Sequence, residues 1–125
     1  MTALRQIISL EMLLEQDLEA ICRDLDAELG EMAGHSLLIT GGGGFLGYYL
    51  VQAALHWNRT RSPRGEIDVT VFDNYMRGVP QWLEQLRSNP RLQLVRHDMI
   101  QPLPRDMGHF DYVIHAAGIA SPIYY

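Results

Sequence analysis

Four consecutive glycines, Gly41 to Gly44, separate the apolar run Leu37-Leu38-Ile39 from Phe45-Leu46, and Gly47 follows three residues later. No single regular element runs through such a stretch. Glycine costs about 1 kcal/mol relative to alanine inside a helix, and it weakens a strand interior as well. The chain must therefore change element at the glycines. The run before them suits a buried strand, and Tyr48, Leu50, Val51 and Leu55 after them recur at helical spacing. Residues 36–55 carry no charge, yet five of these twenty are glycine, which makes a poor membrane helix. A strand that turns sharply into a helix accounts for the run better.

The bulk composition limits what surrounds this turn. With 125 residues, 47% hydrophobic and 20% charged, the chain has the length and composition of one ordered domain with a modest core. Residues 1–35 hold 2 arginines against 8 acids, whereas residues 36–125 hold 8 arginines against 7 acids. The acidity thus sits on a leading segment, and no basic face for nucleic acid is present. All ten basic residues are arginine; there is no lysine. The single Cys22 fits a reducing compartment, and acids interrupt any secretory leader, so the expected location is cytoplasmic. The histidines show no metal-ligand spacing, so no metal site is expected.

Residues 3–30 read as helical, either one long helix or two short ones. Leu4, Ile7, Ile8, Leu14, Leu18, Ile21, Leu25 and Leu29 recur at steps of three and four, and Gly30 and Gly34 end the pattern. This segment, 1–34, is expected to dock on the body as a helical extension. Within the body, 35–125, strands are expected at Ser36–Thr40, Ile67–Phe72, Leu92–Arg96 and Tyr112–His115. Helices are expected from Phe45 to about Trp57 and at Gln81–Arg87, with Pro80 in the first turn of the second. Asn58–Gly65 and residues 101–109 read as loops. Alternating strands and helices imply right-handed crossovers and an α/β fold with a parallel sheet. The expected order is 3-2-1-4, the N-terminal half of a Rossmann-type doubly wound sheet.

On that scaffold Gly41, Gly44 and Gly47 form G-x-x-G-x-x-G between strand and helix. Gly41 allows the turn, Gly44 lets a pyrophosphate approach the backbone, and Gly47 allows close helix–strand packing. The backbone N–H groups of Phe45 and Leu46 would face the phosphates. Asp73, followed by Asn74, closes the second strand, where a carboxylate accepts both ribose hydroxyls of an adenosine and repels a 2′-phosphate. NAD is therefore favoured over NADP, with Arg77 nearby as the feature that keeps NADP open. Asp73 lies 26 residues past Gly47, beyond the usual spacing of about 20, and the polar loop accounts for the excess. Asp98, followed by Met99, ends the third strand and could accept from the adenine amino group or simply form a turn. After the fourth strand, Ala116 and Ala117 are small enough for the nicotinamide half to lie against backbone. His115 reads as a packed or hydrogen-bonded strand-end histidine rather than a catalytic base.

The segments Thr40-Gly-Gly-Gly-Gly-Phe-Leu-Gly47, Val71-Phe-Asp-Asn74, His97-Asp98 and His115-Ala-Ala-Gly118 together resemble the extended short-chain dehydrogenase/reductases, the NAD-dependent epimerase/dehydratase group. The tail Ala120-Ser121-Pro122-Ile123-Tyr124-Tyr125 is similar to a segment of UDP-glucuronate decarboxylases that lies beside the sugar. The chain departs from those enzymes at Gly118-Ile119, where they usually carry Ser-Pro. The resemblance implies NAD as cofactor, a nucleotide sugar as substrate with Ser121 and Tyr125 beside it, transient oxidation at the sugar C4, and a homodimer in the full-length protein. It also implies a Tyr-x-x-x-Lys proton relay. With no lysine, these 125 residues cannot supply that relay, so no catalytic residue is assigned and the isolated chain is expected to be inactive. The alternative is a non-catalytic dinucleotide-binding or redox-sensing module whose acidic leading helix meets a partner.

Overall fold

A computed structural model describes residues 3–76 and 78–118. Two helices lead, α1 (Ala3–Asp24) and α2 (Asp26–Met32). They are followed by β1 (Ser36–Thr40), α3 (Phe45–Thr60), a short 3-10 turn at Ser62–Arg64 and β2 (Asp68–Asp73). The remaining elements are α4 (Gln81–Leu86), β3 (Leu92–Arg96) and β4 (Tyr112–His115). The four strands form one parallel sheet in the order β3-β2-β1-β4, as the alternation of elements implied.

Register decides which side chains face the helices. Leu37, Ile39, Val69, Val71 and Leu92 lie on one face and join Val51, Ala54, Leu55 and Trp57 of α3 in the main core. The opposite face carries Leu38, Thr40 and Phe72, which are also buried, but beside them on β4 Val113 is 59% exposed. Residues 53–58 of α3 are buried without interruption, because this helix lies between the sheet on one side and α1 on the other.

The leading helix docks as expected, through an apolar stripe and a polar clasp. Leu18 and Cys22 are buried, and the Cys22 thiol donates to the Ala53 carbonyl at 3.4 Å. Burial of a leucine such as Leu18 contributes about 1.5–3 kcal/mol. Beside it, Glu19 accepts from Arg61 at 2.5 Å and from His56 Nε2 at 2.8 Å. The other ring nitrogen, His56 Nδ1, lies 3.2 Å from the Arg59 guanidinium and 3.4 Å from Glu15 Oε2. The Arg61 and His56 bonds pull the Glu19 carboxyl down to about 2.

Several boundaries differ from the sequence reading. The leading pattern breaks at Leu25 into a long and a short helix, and Gly30 lies inside α2 rather than ending it. A Cβ at Gly30 would stand 2.6 Å from the Arg64 guanidinium, which itself sits 4.7 Å above the Trp57 ring. Glycine is there to admit that arginine, not to stop the helix. Residues 58–60 belong to α3 rather than to a loop. Asn58, polar enough to read as loop, is buried and clasps the start of β2, accepting from Ile67 N–H at 2.7 Å and donating to its carbonyl at 2.8 Å. The second strand runs Asp68–Asp73, one residue later than expected, and Pro80 is the N-cap of α4 rather than part of its first turn.

Candidate functional site

Because the sheet is parallel, the turns that follow β1, β2, β3 and β4 all gather at one edge. There they enclose a cleft of about 980 Å³. The strand order reverses between β1 and β4, and the cleft opens at that switch point, where open α/β sheets hold their ligands.

The floor is the glycine turn. Gly41 has φ +71°, a conformation that a side chain resists, and its N–H donates to the Phe72 carbonyl at 2.7 Å. A Cβ on Gly41 would stand 2.6 Å from the Ala117 backbone nitrogen. The end of β4 is tied to the same turn: Ala116 N–H donates to the Thr40 carbonyl at 2.9 Å, and Thr40 Oγ1 lies 2.6 Å from His115 Nδ1. Thr40 is buried, so this bond fixes the imidazole from below. Gly44 N–H closes the turn on the Gly41 carbonyl at 3.1 Å, and the Tyr48 N–H bond to Gly44 at 3.0 Å is the first of α3. The amides of Phe45, Leu46 and Gly47 therefore have no helical acceptor, as in any first turn. The Phe45 and Leu46 side chains turn to solvent. Gly47 packs against the Gly42 carbonyl, so the space it leaves serves the turn rather than the strand behind it.

The wall at the β2 end is acidic. Asp73 Oδ2 accepts from Gly43 N–H at 3.0 Å, and Oδ1 accepts from Tyr75 N–H at 2.9 Å. Asn74 Oδ1 accepts from Met76 N–H at 2.9 Å, and Arg96 donates to the Asn74 carbonyl at 3.2 Å. Asp98 makes a turn of its own, accepting from Ile100 N–H at 3.1 Å, and Met99 lines the cleft beside it. Tyr75 is buried beside the charge of Asp73. Burial foremost, with that charge, pushes its hydroxyl up to about 12.

The structure thus brings Gly41, Gly44, Asp73, Asn74, Asp98, Met99, Ala116 and Ala117 to one cleft, with the first amides of α3 at the glycine turn. Arg77, Ser121 and Tyr125 lie outside the described residues. The sequence reading left Tyr75 out of the site, named no partner for His115, and gave His97 no role of its own. Tyr75 and the Thr40–His115 pair depend on contacts between strand ends that no local pattern announces. His97 donates its N–H to the Asp73 carbonyl at 2.9 Å and leaves Nε2 buried with no partner among the described residues. These features fit a dinucleotide: a floor without side chains, unspent amides at a helix start and a carboxylate at the second strand end. Space above Gly44 is open, the Gly41 oxygen at 3.4 Å being its near neighbour.

Known proteins share the sequence that builds this sheet. The chain is 37% identical over 89 residues to UDP-glucuronic acid decarboxylase 1 of Arabidopsis thaliana, covering 71% of this chain and 18% of that protein. It is 36% identical over 89 residues to UDP-glucuronic acid decarboxylase 3 of the same plant, covering 71% and 23%. To UDP-glucuronic acid decarboxylase 1 of Danio rerio it is 31% identical over 94 residues, covering 75% and 20%. The chain therefore spans roughly a fifth of the length of the curated relatives it matches. Residues 37–123, well over half of the chain, match a single family over the same strands and turns, and the chain belongs to the NAD dependent epimerase/dehydratase family.

Proposed function

We propose that this chain is the NAD-binding portion of a nucleotide-sugar enzyme of the UDP-glucuronate decarboxylase type. The observation that carries the reading is the Asp73 carboxylate, set at the end of β2 and hydrogen-bonded at 3.0 Å to the glycine turn that would carry the pyrophosphate. Bound there, NAD supplies a hydride acceptor for transient oxidation at the sugar C4. The chain's own part is to bind and orient. The α3 amides of Phe45 and Leu46 hold phosphate oxygens, Asp73 takes the ribose hydroxyls, Asn74, Asp98 and Met99 border the adenine, and Ala116 and Ala117 give the nicotinamide half a flat floor. Ser121 and Tyr125 are assigned to the sugar side by resemblance. In this reading residues 1–34 are a docked extension, residues 35–125 are half of a cytoplasmic enzyme's cofactor domain, and the full-length protein is a homodimer.

Titration calorimetry with NAD and NADP tests the reading. NAD should bind more tightly, because a 2′-phosphate meets the Asp73 charge; tighter NADP binding overturns it. The absence of lysine from these 125 residues favours a second reading, a binding module without catalysis. The coding region past Tyr125 separates the two. A Tyr-x-x-x-Lys within about one domain length supports the enzyme, and a direct stop codon supports the module.

A further inference from the structure

We propose that Tyr75 is a positioning residue that pins the Asp73 carboxylate and so sets the preference for a free ribose 2′-hydroxyl over a 2′-phosphate. The inference rests on the NAD-binding reading above and adds to it the residue that holds the discriminating charge still.

Among the described residues, Tyr75 is the non-glycine residue with positive φ, at 52°. Such a backbone is costly for a bulky residue and persists only where the surroundings enforce it. They do so here. The Tyr75 side chain is 7% exposed, belongs to the core cluster that includes Leu83 and Leu92, and has the Arg96 guanidinium 5.6 Å above its ring. Its carbonyl accepts from Gly78 N–H at 2.8 Å, closing the turn. The ring is thus driven into the core while the amide of the same residue stays at Asp73 Oδ1, 2.9 Å away. The hydroxyl has no partner among the described residues, so packing of the ring does the anchoring.

The consequence for Asp73 follows from lone pairs. A carboxylate offers about four acceptor positions. Gly43 N–H takes one on Oδ2 and Tyr75 N–H takes one on Oδ1. One position then remains on each oxygen, which matches the two hydroxyls of a ribose. A group held at both oxygens also cannot swing away from a 2′-phosphate, so the repulsion stays in place.

The test is calorimetry with NAD and NADP on the wild type, Tyr75→Phe, Tyr75→Asn, Asp73→Asn and the double variant Tyr75→Asn with Asp73→Asn. Phenylalanine keeps the anchor, so the NAD:NADP affinity ratio should stay within about twofold, with a raised melting temperature once the unpaired hydroxyl is gone. Asparagine tolerates the left-handed backbone but loses the anchor. The ratio should fall about tenfold, the scale of one hydrogen bond to a charged group. In the Asp73→Asn background the same change should leave the ratio where it was. A folded Tyr75→Asn protein with an unchanged ratio overturns the proposal, as does an equal fall in the Asp73→Asn background. Amide exchange supplies a readout that needs neither ligand nor the asparagine variant. Asp73→Ala should speed exchange at Tyr75 and Gly43 by about tenfold or more while the β3 amides stay slow, and equal rates at Tyr75 overturn the proposal. If wild type binds neither dinucleotide, the NAD-binding reading fails, and the exchange rates still show whether Tyr75 holds the carboxylate.

Discussion

Single residues decide whether the cleft exists at all. Gly41 combines φ +71° with the backbone of Ala117 at 2.6 Å from any Cβ it might carry. Gly41→Ala should therefore lower stability by about 2 kcal/mol or more, read from urea midpoints, and weaken NAD binding in the same protein. The Thr40–His115 bond gives a second residue-scale prediction. Thr40→Val keeps the shape and removes the hydroxyl, leaving His115 Nδ1 without its 2.6 Å partner. A loss of about 1–2 kcal/mol is expected by denaturant titration, with Thr40→Ser restoring most of it. Legibility at this scale was uneven for a physical reason. Asp73 and the glycines announce themselves because they sit beside strand ends in one local pattern. The Thr40–His115 bond joins residues 75 apart, and such a pairing becomes visible only once β1 and β4 share a register.

At the scale of elements, the docking of α1 on α3 combines apolar packing with a charge that titrates. The Glu19 carboxyl lies at about 2 in the folded chain, below its ordinary 4.5, chiefly through the Arg61 bond and then the His56 bond. A depressed carboxyl stabilises the fold above its ordinary value, and that stabilisation is lost as pH falls from about 4.5 toward 2. The α1 amide resonances should therefore shift away from their docked positions across this window. Asp111, also held at about 2 by its bonds to Ser36 and His109, titrates in the same window beside the start of β1. A Glu19→Gln variant isolates the α1 response, because its α1 shifts should lose their pH step. Helical spacing was enough to read α1 as a docking helix. The break at Leu25 and the extra turn of α3 were not readable, since Gly30 and Asn58 hold places set by Arg64 and Ile67 on other elements.

The whole molecule is lopsided. One face of the sheet meets α3, with α1 behind it, while the other is partly screened by the segment after β3, where Phe110 lies 6.2 Å from Phe72. On this side Val113 remains 59% exposed, and in the segment after β3 Ile100, at the cleft, and Leu103 remain 84% and 50% exposed. The 125-residue chain on its own should self-associate through that side, seen as concentration-dependent mass in light scattering, and Val113→Lys should reduce it. The strand order itself was readable, because short connections and right-handed crossovers leave few alternatives. The lopsidedness was not, because burial on a sheet face depends on what covers it. The position of β4 has one more consequence. It pairs with β1, whose other neighbour β2 follows it closely in the chain, so β1, β2 and β3 can assemble early while the β1–β4 pair must close a loop of more than seventy residues. On a growing ribosomal product, Ala116 and Ala117 reach Thr40 and Gly41 after β1, β2 and β3 can have paired. The proposed dinucleotide cradle is thus closed after the three-stranded sheet has formed, and cofactor added to refolding chains should trap that closure rather than speed the earlier pairing.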